Sequence, residues 1–256
     1  MIFRKPNPDF VRAQGIRYDG FFEALHRQVY LDWYMEIGCR RGRSVKAVDS
    51  KTIVIDPYFR ITSNVIGNKP QFIAQQMESD AFFDSGFLQS NGIRVSFCFI
   101  DGMHLIENAL RDFINVERNA DPKGAIAVHD CCPFSIKMTT RNLAEHEKGP
   151  WTGDVWKLIP VLQRWRPDLK LDVLDCRKTG LLVASNLNPQ DTTLDDSFDE
   201  IMAEFREMPL ESFGVRRFFD SFEYVSAEAV IQGRFGFLDA VRRDAKDRLS
   251  RSKVSP

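Results

Sequence analysis

The chain has 256 residues, of which 43% are hydrophobic and 28% charged, and its formal net charge is −1. This length suffices for one large domain or for a domain with an appendage. The charge balance gives no overall electrostatic reason to bind nucleic acid or an acidic membrane surface. No apolar run approaches the ~20 residues of a membrane-spanning helix, and the first residues lack the apolar stretch of a secretory signal.

The five cysteines argue for a reducing compartment. Their number is odd and no two form a Cys-x-x-Cys pair, which disfavours a disulfide framework or a zinc site. We therefore expect reduced thiols in a cytoplasmic protein. Cys98 and Cys176 lie in apolar stretches and are predicted core residues. Cys131 and Cys132 have no sequence neighbour that would activate a thiol.

Short apolar runs alternate with helix-like segments from residue 31 to residue 186, after a predicted helical lead-in over residues 1–30. Continuous β-branched runs are typical of strands buried on both faces. Six runs are predicted strands: Trp33–Ile37, Thr52–Ile55, Val95–Ile100, Ala125–Val128, Leu171–Leu174 and Leu181–Ala184. This alternation predicts an α/β fold with a mostly parallel, Rossmann-like sheet and helices on both faces.

The clearest helical pattern runs from Leu105 to Arg118, and residues 121–124 (Asp-Pro-Lys-Gly) predict a stop and a turn into the next strand. Residues 187–256 are predicted to form a helical C-terminal extension. It contains an acidic, helix-prone stretch around residues 195–207 and a helical pattern over residues 227–249 that ends in a basic tail. The mixed charges of that tail favour a solvated helix face over a nucleic-acid patch.

The segment from Trp33 to Ser44 has the pattern of a strand, a glycine turn and a helix start. Glycines such as Gly38 and Gly42 accept positive φ and let a ligand approach bare backbone. A helix beginning near Arg43 would present unpaired N–H groups to an anion. Asp56 ends the second strand eighteen residues after Gly38, where a carboxylate can accept both hydroxyls of a ribose.

A dinucleotide motif fails here on spacing, because Glu36 and Arg41 stand where Gly-x-Gly-x-x-Gly requires glycine. The remaining pattern, Glu-x-Gly-x-x-x-Gly-x-Ser from Glu36 to Ser44, suits a nucleoside ligand without pyrophosphate whose amino-acid tail lies over the loop. Plain packing between strand and helix is the structural alternative for the two glycines.

Four polar side chains follow the ends of two predicted strands: Asp101, His104, His129 and Asp130. Side chains at the carboxyl ends of neighbouring parallel strands converge where open α/β sheets bind ligands. Two carboxylates and two imidazoles could there hold a divalent metal or move a proton. A helix cap at Asp101 and a packed imidazole at His104 are the structural alternatives.

With these motifs, the chain resembles the class I S-adenosylmethionine-dependent methyltransferases. Within that class it is similar to the small-molecule O-methyltransferases that include macrolide-sugar and aminocoumarin-sugar enzymes. The resemblance covers about residues 30–186 and rests on seven segments: Glu36–Gly42, Ile55-Asp56, Phe99–His104, Arg111-Asp112, His129-Asp130, Trp151–Trp156 and Arg166–Asp168.

The resemblance implies a seven-stranded sheet and S-adenosylmethionine as cofactor. The glycine loop and Glu36 would hold its methionine part, and Asp56 its ribose. Ser79 and Asp80, after the third strand, would border the adenine.

The resemblance also implies a divalent metal and a base. In metal-dependent members an Asp after the fourth strand and an acidic pair after the fifth bind Mg²⁺, and a His three residues beyond the first Asp is the base. Asp101 and His104 match this pattern. The acidic pair departs from it, since His129 takes the first position and only Asp130 is retained. Imidazole suits softer ions such as Mn²⁺ better than Mg²⁺, so Mg²⁺, Mn²⁺ and no metal all stay open.

The implied activity is methylation of a hydroxyl on a small molecule or glycan, with Asp101, His129 and Asp130 as metal ligands and His104 as base. One alternative is a metal-independent methyltransferase with His104 or His129 as base. Another is an S-adenosylmethionine-binding module without turnover. No nucleic-acid or membrane partner is expected, and homo-oligomerisation is left open.

Overall fold

The computed structural model describes residues 9–146 and 149–243. Eight strands lie within these residues: β1 (Trp33–Ile37), β2 (Lys51–Ile55), β3 (Phe72–Gln75), β4 (Val95–Ile100), β5 (Ala120–His129), β6 (Lys170–Leu174), β7 (Leu181–Ser185) and β8 (Tyr224–Val225). The α-helices are α1 (Tyr18–Gln28), α2 (Ser79–Asp84), α3 (Phe87–Ser90), α4 (Ile106–Asn119), α5 (Leu158–Trp165), α6 (Thr193–Asp196), α7 (Phe198–Phe205), α8 (Leu210–Phe213), α9 (Val215–Phe219) and α10 (Ala227–Gln232).

The strands form one sheet in the order β3-β2-β1-β4-β5-β7-β6-β8. Only β7 runs antiparallel to its neighbours β5 and β6, which confirms the predicted mostly parallel α/β sheet. The described sheet has eight strands rather than the implied seven, because Tyr224–Val225 pairs with β6. The strand order reverses between β1 and β4, and this switch point is where open α/β sheets bind ligands.

Both faces of the sheet are covered, as predicted. Met35 and Ile37 of β1 join the core that includes Leu110 and Phe113 of α4. Tyr34 joins the opposite core, which includes Phe22 of α1. The alternation follows from the period of two in a strand, which sends successive side chains to opposite faces.

The helix predicted near Arg43 is wrong. The connection between β1 and β2 contains only a 3₁₀ turn at Val45–Ala47, and Val48 is already extended, with φ −73° and ψ 130°. The chain must enter β2 at Lys51, so the connection is too short for a helix of several turns. Side chains of α1 and residues such as Leu238 cover this face instead.

The turn predicted at residues 121–124 is also wrong, since β5 begins at Ala120 and runs through it. The pairing of β4 with β5 shifts register between Val95 and Phe97, which accommodates the irregular stretch. Gly124 is needed there, because a Cβ on it would lie 2.5 Å from the Ser96 carbonyl oxygen.

The helices predicted near the two ends of the chain are present only in part. In the lead-in, α1 covers residues 18–28, residues 9–17 are not helical, and residues 1–8 lie outside the described chain. The continuous helix predicted over residues 227–249 is wrong: α10 ends at Gln232, and Arg234 and Phe235 have positive φ. The rest of that pattern, residues 244–249, lies outside the described chain. No helix among the described residues has the length and apolar character needed to cross a membrane.

Candidate active site

The carboxylate–imidazole cluster (Asp101, His104, His129 and Asp130) forms at the carboxyl ends of β4 and β5, as predicted. Asp101 follows β4, His129 is the last residue of β5, and Asp130 comes next with φ +59°. Because Ile100 pairs with Val128, the two strands end at the same level and their terminal side chains meet.

Three of the four side chains offer ligand atoms to a common point. Single atoms of Asp101, His104 and Asp130 lie within 4.8 Å of one another. The predicted ligand His129 is outside this trio and lies beside it, with Nδ1 3.1 Å from Asp101 Oδ1 and Nε2 3.3 Å from Thr179 Oγ1. The two carboxylates offer oxygen donors to a divalent ion such as Mn²⁺, and the imidazole of His104 adjoins them either as a nitrogen ligand or as a proton acceptor, but not as both through one nitrogen.

Opposite charges dominate the electrostatics of the cluster. Burial alone raises the pKa of Asp101, but the charge of His129 and hydrogen bonds from His104 and His129 outweigh it, so this pKa lies well below its usual range. Burial alone lowers the pKa of His129, and the carboxylates of Asp130 and Asp101 raise it to about 9. The pKa of His104 is raised by the same two carboxylates against the effect of burial.

His104 is held in place by the segment from Trp151 to Asp154. Its Nδ1 donates a hydrogen bond to the Trp151 carbonyl at 2.9 Å, and the Trp151 ring stacks on the imidazole at 5.1 Å. Gly153 has φ +50°, and a Cβ on it would lie 1.8 Å from the His104 carbonyl oxygen. Glycine is therefore required for this approach, which leaves Nε2 of His104 facing Asp101 at 3.5 Å.

Asp154 ties the same segment to α4. Its Oδ1 accepts a hydrogen bond from the backbone N–H of Ile106 at 2.7 Å, and thereby caps the helix. Its Oδ2 accepts from Arg141 and Lys157 at 2.5 and 2.7 Å. The acidic residue in the Trp151–Trp156 motif thus has a structural role, which supports the side of the site that carries His104.

The glycine loop (residues 38–44) lies next to the cluster. Gly38 has φ +89°, and a Cβ on it would lie 2.0 Å from the Asp101 carbonyl oxygen. The backbone N–H of Asp101 donates to the Ile37 carbonyl at 2.9 Å. Gly38 therefore serves the close approach of β1 to β4, and this approach brings the loop and the cluster together.

Glu36 is buried at the base of this loop, with 1% of its surface exposed. Its two carboxylate oxygens accept hydrogen bonds from Tyr34 Oη and Ser44 Oγ, both at 2.6 Å. Burial raises its pKa to about 7, although these two hydroxyls act in the opposite direction. The structure thus brings together two of the predicted cofactor residues, Glu36 and Ser44.

Asp56 joins the end of β2 to the glycine loop. Its Oδ2 accepts from the backbone N–H of Arg40 at 2.8 Å, and its Oδ1 from that of Tyr58 at 2.6 Å. Each carboxylate oxygen keeps a further lone pair. The predicted ribose-binding residue thus also holds the loop against the sheet.

Ser79 and Asp80 follow β3, as the implied adenine site requires, and they begin α2. Asp80 pairs with Arg111 of α4 at 3.6 Å. Asp112, next to that arginine, is 2% exposed, and burial raises its pKa to about 7 against a hydrogen bond with Ser79. The two predicted residues are thus joined to the Arg111-Asp112 pair of α4.

Sequence reasoning missed Tyr18 and Thr179 as neighbours of the cluster. The Tyr18 ring lies 4.2 Å from the His129 ring and covers it, while Thr179 is reached only because β7 runs antiparallel beside β5. Neither lies in a motif, and both come from distant parts of the chain. The predicted helical lead-in over residues 1–30 was the signal for α1, and it carries no information about the side chain that begins the helix.

A cavity of about 680 Å³ lies between residues 134–142 and residues 207–211. Its lining includes Met138, Trp156 and Leu210, together with Asp154 and Arg141. Asp154 is shared between this cavity and the support of His104.

No protein-family model matches the chain, and no curated protein matches its sequence. Among solved structures it is similar to the O-methyltransferase TomG from Streptomyces achromogenes, involved in tomaymycin synthesis, in complex with SAM. The identity is 13%, over 66% of this chain and 80% of that one, with a TM-score of 0.46. It is also similar to MycE methyltransferase from the mycinamycin biosynthetic pathway, in complex with Mg, SAH and mycinamycin VI.

For MycE the identity is 16% and the TM-score 0.41, over 68% of this chain, which spans only 49% of that one. A third similar structure is the O-methyltransferase from Bacillus cereus in complex with SAH, with 12% identity and a TM-score of 0.44 over 69% of this chain and 84% of that one. Similarity at this level of identity and TM-score supports no conclusion about activity. The activity is therefore inferred from the site itself.

Proposed function

We propose that this protein is an S-adenosylmethionine-dependent methyltransferase that acts on a hydroxyl of a small molecule or carbohydrate, assisted by a divalent cation. The observation that carries the proposal is the contact between Gly38 and Asp101 at the switch point of the sheet. It places a loop suited to a nucleoside beside a cluster suited to a metal and a proton acceptor. Residues 31–186 would form the cofactor-binding domain, in a reducing, cytoplasmic setting.

Methyl transfer from a sulfonium is an in-line displacement in which the protein mainly positions the donor carbon against the acceptor oxygen. The hydroxyl oxygen forms a bond to the methyl carbon, and the carbon–sulfur bond breaks with its electron pair going to sulfur. The hydroxyl proton must leave as well. His104 would accept it at Nε2, since Nδ1 is held by the Trp151 carbonyl.

A metal would have a specific effect on this base. With the two carboxylates unscreened, the pKa of His104 is raised, and a protonated imidazole accepts no proton. A divalent cation held by Asp101 and Asp130 would offset their charge, lower the pKa of His104, and lower the pKa of the acceptor hydroxyl. His129 would orient Asp101 through the contact at 3.1 Å. The two carboxylates, whose ligand atoms lie within 4.8 Å of one another, favour the metal-assisted reaction over a metal-independent one.

Calorimetric titration with S-adenosylhomocysteine and an assay of methyl transfer from S-adenosylmethionine to screened hydroxyl compounds test the proposal, each with Mn²⁺, with Mg²⁺ and with EDTA. Binding of the nucleoside, together with product formation that EDTA abolishes and Mn²⁺ restores, is expected. Product formation that is unaffected by EDTA would favour the metal-independent alternative. Binding without methylation of any screened hydroxyl would favour the module without turnover, and no binding at all would overturn the proposal.

A further inference from the structure

Lys69 lies in the connection between β2 and β3, and its side chain is buried. Only 9% of the residue is exposed, and its Nζ has no hydrogen-bond partner among the described residues. A buried ammonium group without a partner is costly, because it has lost its hydration and gained nothing in exchange. Such a group points to an anion that binds there.

The chain around Lys69 is folded onto the glycine loop. The backbone N–H of Arg60 donates to the Arg40 carbonyl at 2.7 Å. Val65 packs against Gly42, where a Cβ would lie 2.4 Å from its Cγ1 atom. The groups that act most on the charge of Lys69 are the thiol of Cys39, in the loop, and the carboxyl group of Glu36 at its base. The ammonium group therefore belongs to the surroundings of the glycine loop.

The nearby protein groups do not satisfy Lys69. Both oxygens of Glu36 accept hydrogen bonds from Tyr34 and Ser44, at 2.6 Å each. His26 is a further buried group whose ring nitrogens lack partners among the described residues; it adds no negative charge. The arrangement is a buried carboxylate and a buried, unpaired ammonium beside one loop.

We propose that Lys69 binds the carboxylate of the amino-acid tail of the nucleoside cofactor. This inference rests on the proposed function. The tail is zwitterionic, and Glu36 and Lys69 together present one group of each charge beside the loop over which the tail would lie. A charge-assisted hydrogen bond to a carboxylate is among the stronger polar contacts, particularly where water is excluded.

Two nucleosides that differ in the tail provide the test. S-adenosylhomocysteine has the carboxylate, whereas 5′-methylthioadenosine keeps the nucleoside and the thioether without the amino acid. Calorimetry should show that Lys69→Met weakens binding of S-adenosylhomocysteine about 10- to 100-fold and leaves binding of 5′-methylthioadenosine within about twofold. Lys46→Met is the matched control, since Lys46 lies exposed in the connection between β1 and β2 that contains the glycine loop, and it should change neither affinity.

Equal loss of both affinities in Lys69→Met, or no loss of either, would overturn the inference. A measurement on the unaltered chain covers the case of a variant that fails to fold. The carboxamide analogue of S-adenosylhomocysteine should bind about 10-fold or more weakly than the acid, and equal binding would also overturn the inference. If the unaltered chain binds neither nucleoside, the proposed function fails. If it binds both and Lys69 has no effect on their ratio, only the role of Lys69 fails.

Discussion

In the carboxylate–imidazole cluster each ionisable side chain faces an opposite charge, whereas beside the glycine loop Glu36 faces two hydroxyls and Lys69 has no hydrogen-bond partner among the described residues. Burial affects the pKa values of ionisable groups in both regions, but the direction of the resulting shifts differs. In the cluster the charge pairs outweigh burial, so the pKa of Asp101 falls and that of His129 rises to about 9. Beside the loop burial prevails, so the pKa of Glu36 rises to about 7 and that of Lys69 falls to about 8.

This difference shows which charges the fold satisfies by itself and which it leaves to a ligand. The four side chains of the cluster pair with one another, so a bound metal must compete with the two imidazoles for the two carboxylates. Beside the glycine loop, no opposite charge offsets the free-energy cost of burying Glu36 and Lys69. A zwitterionic ligand would supply a group of each charge. Substitutions in the two regions should therefore differ in sign as well as in size.

The largest expected effect is on catalysis at the cluster. His104→Ala should lower turnover by about 10²- to 10⁴-fold, as for loss of a general base, while the affinity for S-adenosylhomocysteine stays within about twofold. Product formation from an acceptor found by screening hydroxyl compounds provides the measurement. Met103→Ala, an exposed neighbour in sequence, serves as the control. Unchanged turnover in His104→Ala would remove this residue from the mechanism.

The next effect tests the pairing within the cluster. Asp101→Asn should lower the free energy of unfolding at pH 7 by about 3 kcal/mol, because it leaves the His129 imidazolium buried with one partner fewer. The pKa of Asp101 in the folded protein lies below its ordinary value of 3.8, so its stabilisation is present above that pH and is lost as pH falls through the folded value. Urea unfolding at several pH values should show the difference shrink in acid. A constant difference from pH 7 to pH 2 would contradict the pairing.

A substitution beside the glycine loop is expected to change the free energy of unfolding in the opposite direction. The pKa of Glu36 is raised from 4.5 to about 7, so its favourable, protonated form is complete below pH 4.5 and is lost as pH rises through 7. Glu36→Gln should therefore raise the free energy of unfolding by about 2 kcal/mol at pH 8 and change it little at pH 4. A destabilised variant at pH 8 would show that the Tyr34 and Ser44 hydroxyls, and not burial, determine the energetics of Glu36.

The smallest expected effect concerns His129 as a residue that orients a ligand. His129→Gln should weaken Mn²⁺ binding about tenfold, as is usual for outer-shell partners of metal ligands, whereas Asp130→Asn should weaken it far more. Calorimetric titration with Mn²⁺ at constant pH distinguishes the two variants. Equal losses would place His129 among the direct ligands, as predicted from the resemblance to metal-dependent methyltransferases.

Much of the fold was predictable because buried parallel strands are continuous apolar runs. Trp33–Ile37 and Val95–Ile100 coincide with β1 and β4, and the other four predicted strands differ from the structure only at their ends. Phe72–Gln75 was missed because it is an edge strand of four residues that is only partly buried. Tyr224–Val225 was missed because two residues carry no periodicity and only pairing with β6 defines them.

The candidate site, like the fold, was predictable from the sequence only in part. Positions next to strand ends, such as Asp101 and Asp130, were predictable because parallel strands end at one edge of the sheet. The relative orientation of His104 and His129 was not, because it depends on the Trp151 carbonyl and on Thr179, which lie 47 and 50 residues away.

The sequence by itself determined which polar residues follow which strands, since local periodicity and chain order fix strand ends. Only the tertiary structure decided how their charges are compensated. Compensation depends on distance and burial: Asp101 meets His129 across neighbouring strands, whereas Lys69 lies in a connection that folds back over Gly42. Neither this pairing of Asp101 nor the burial of Lys69 is encoded within a window of neighbouring residues.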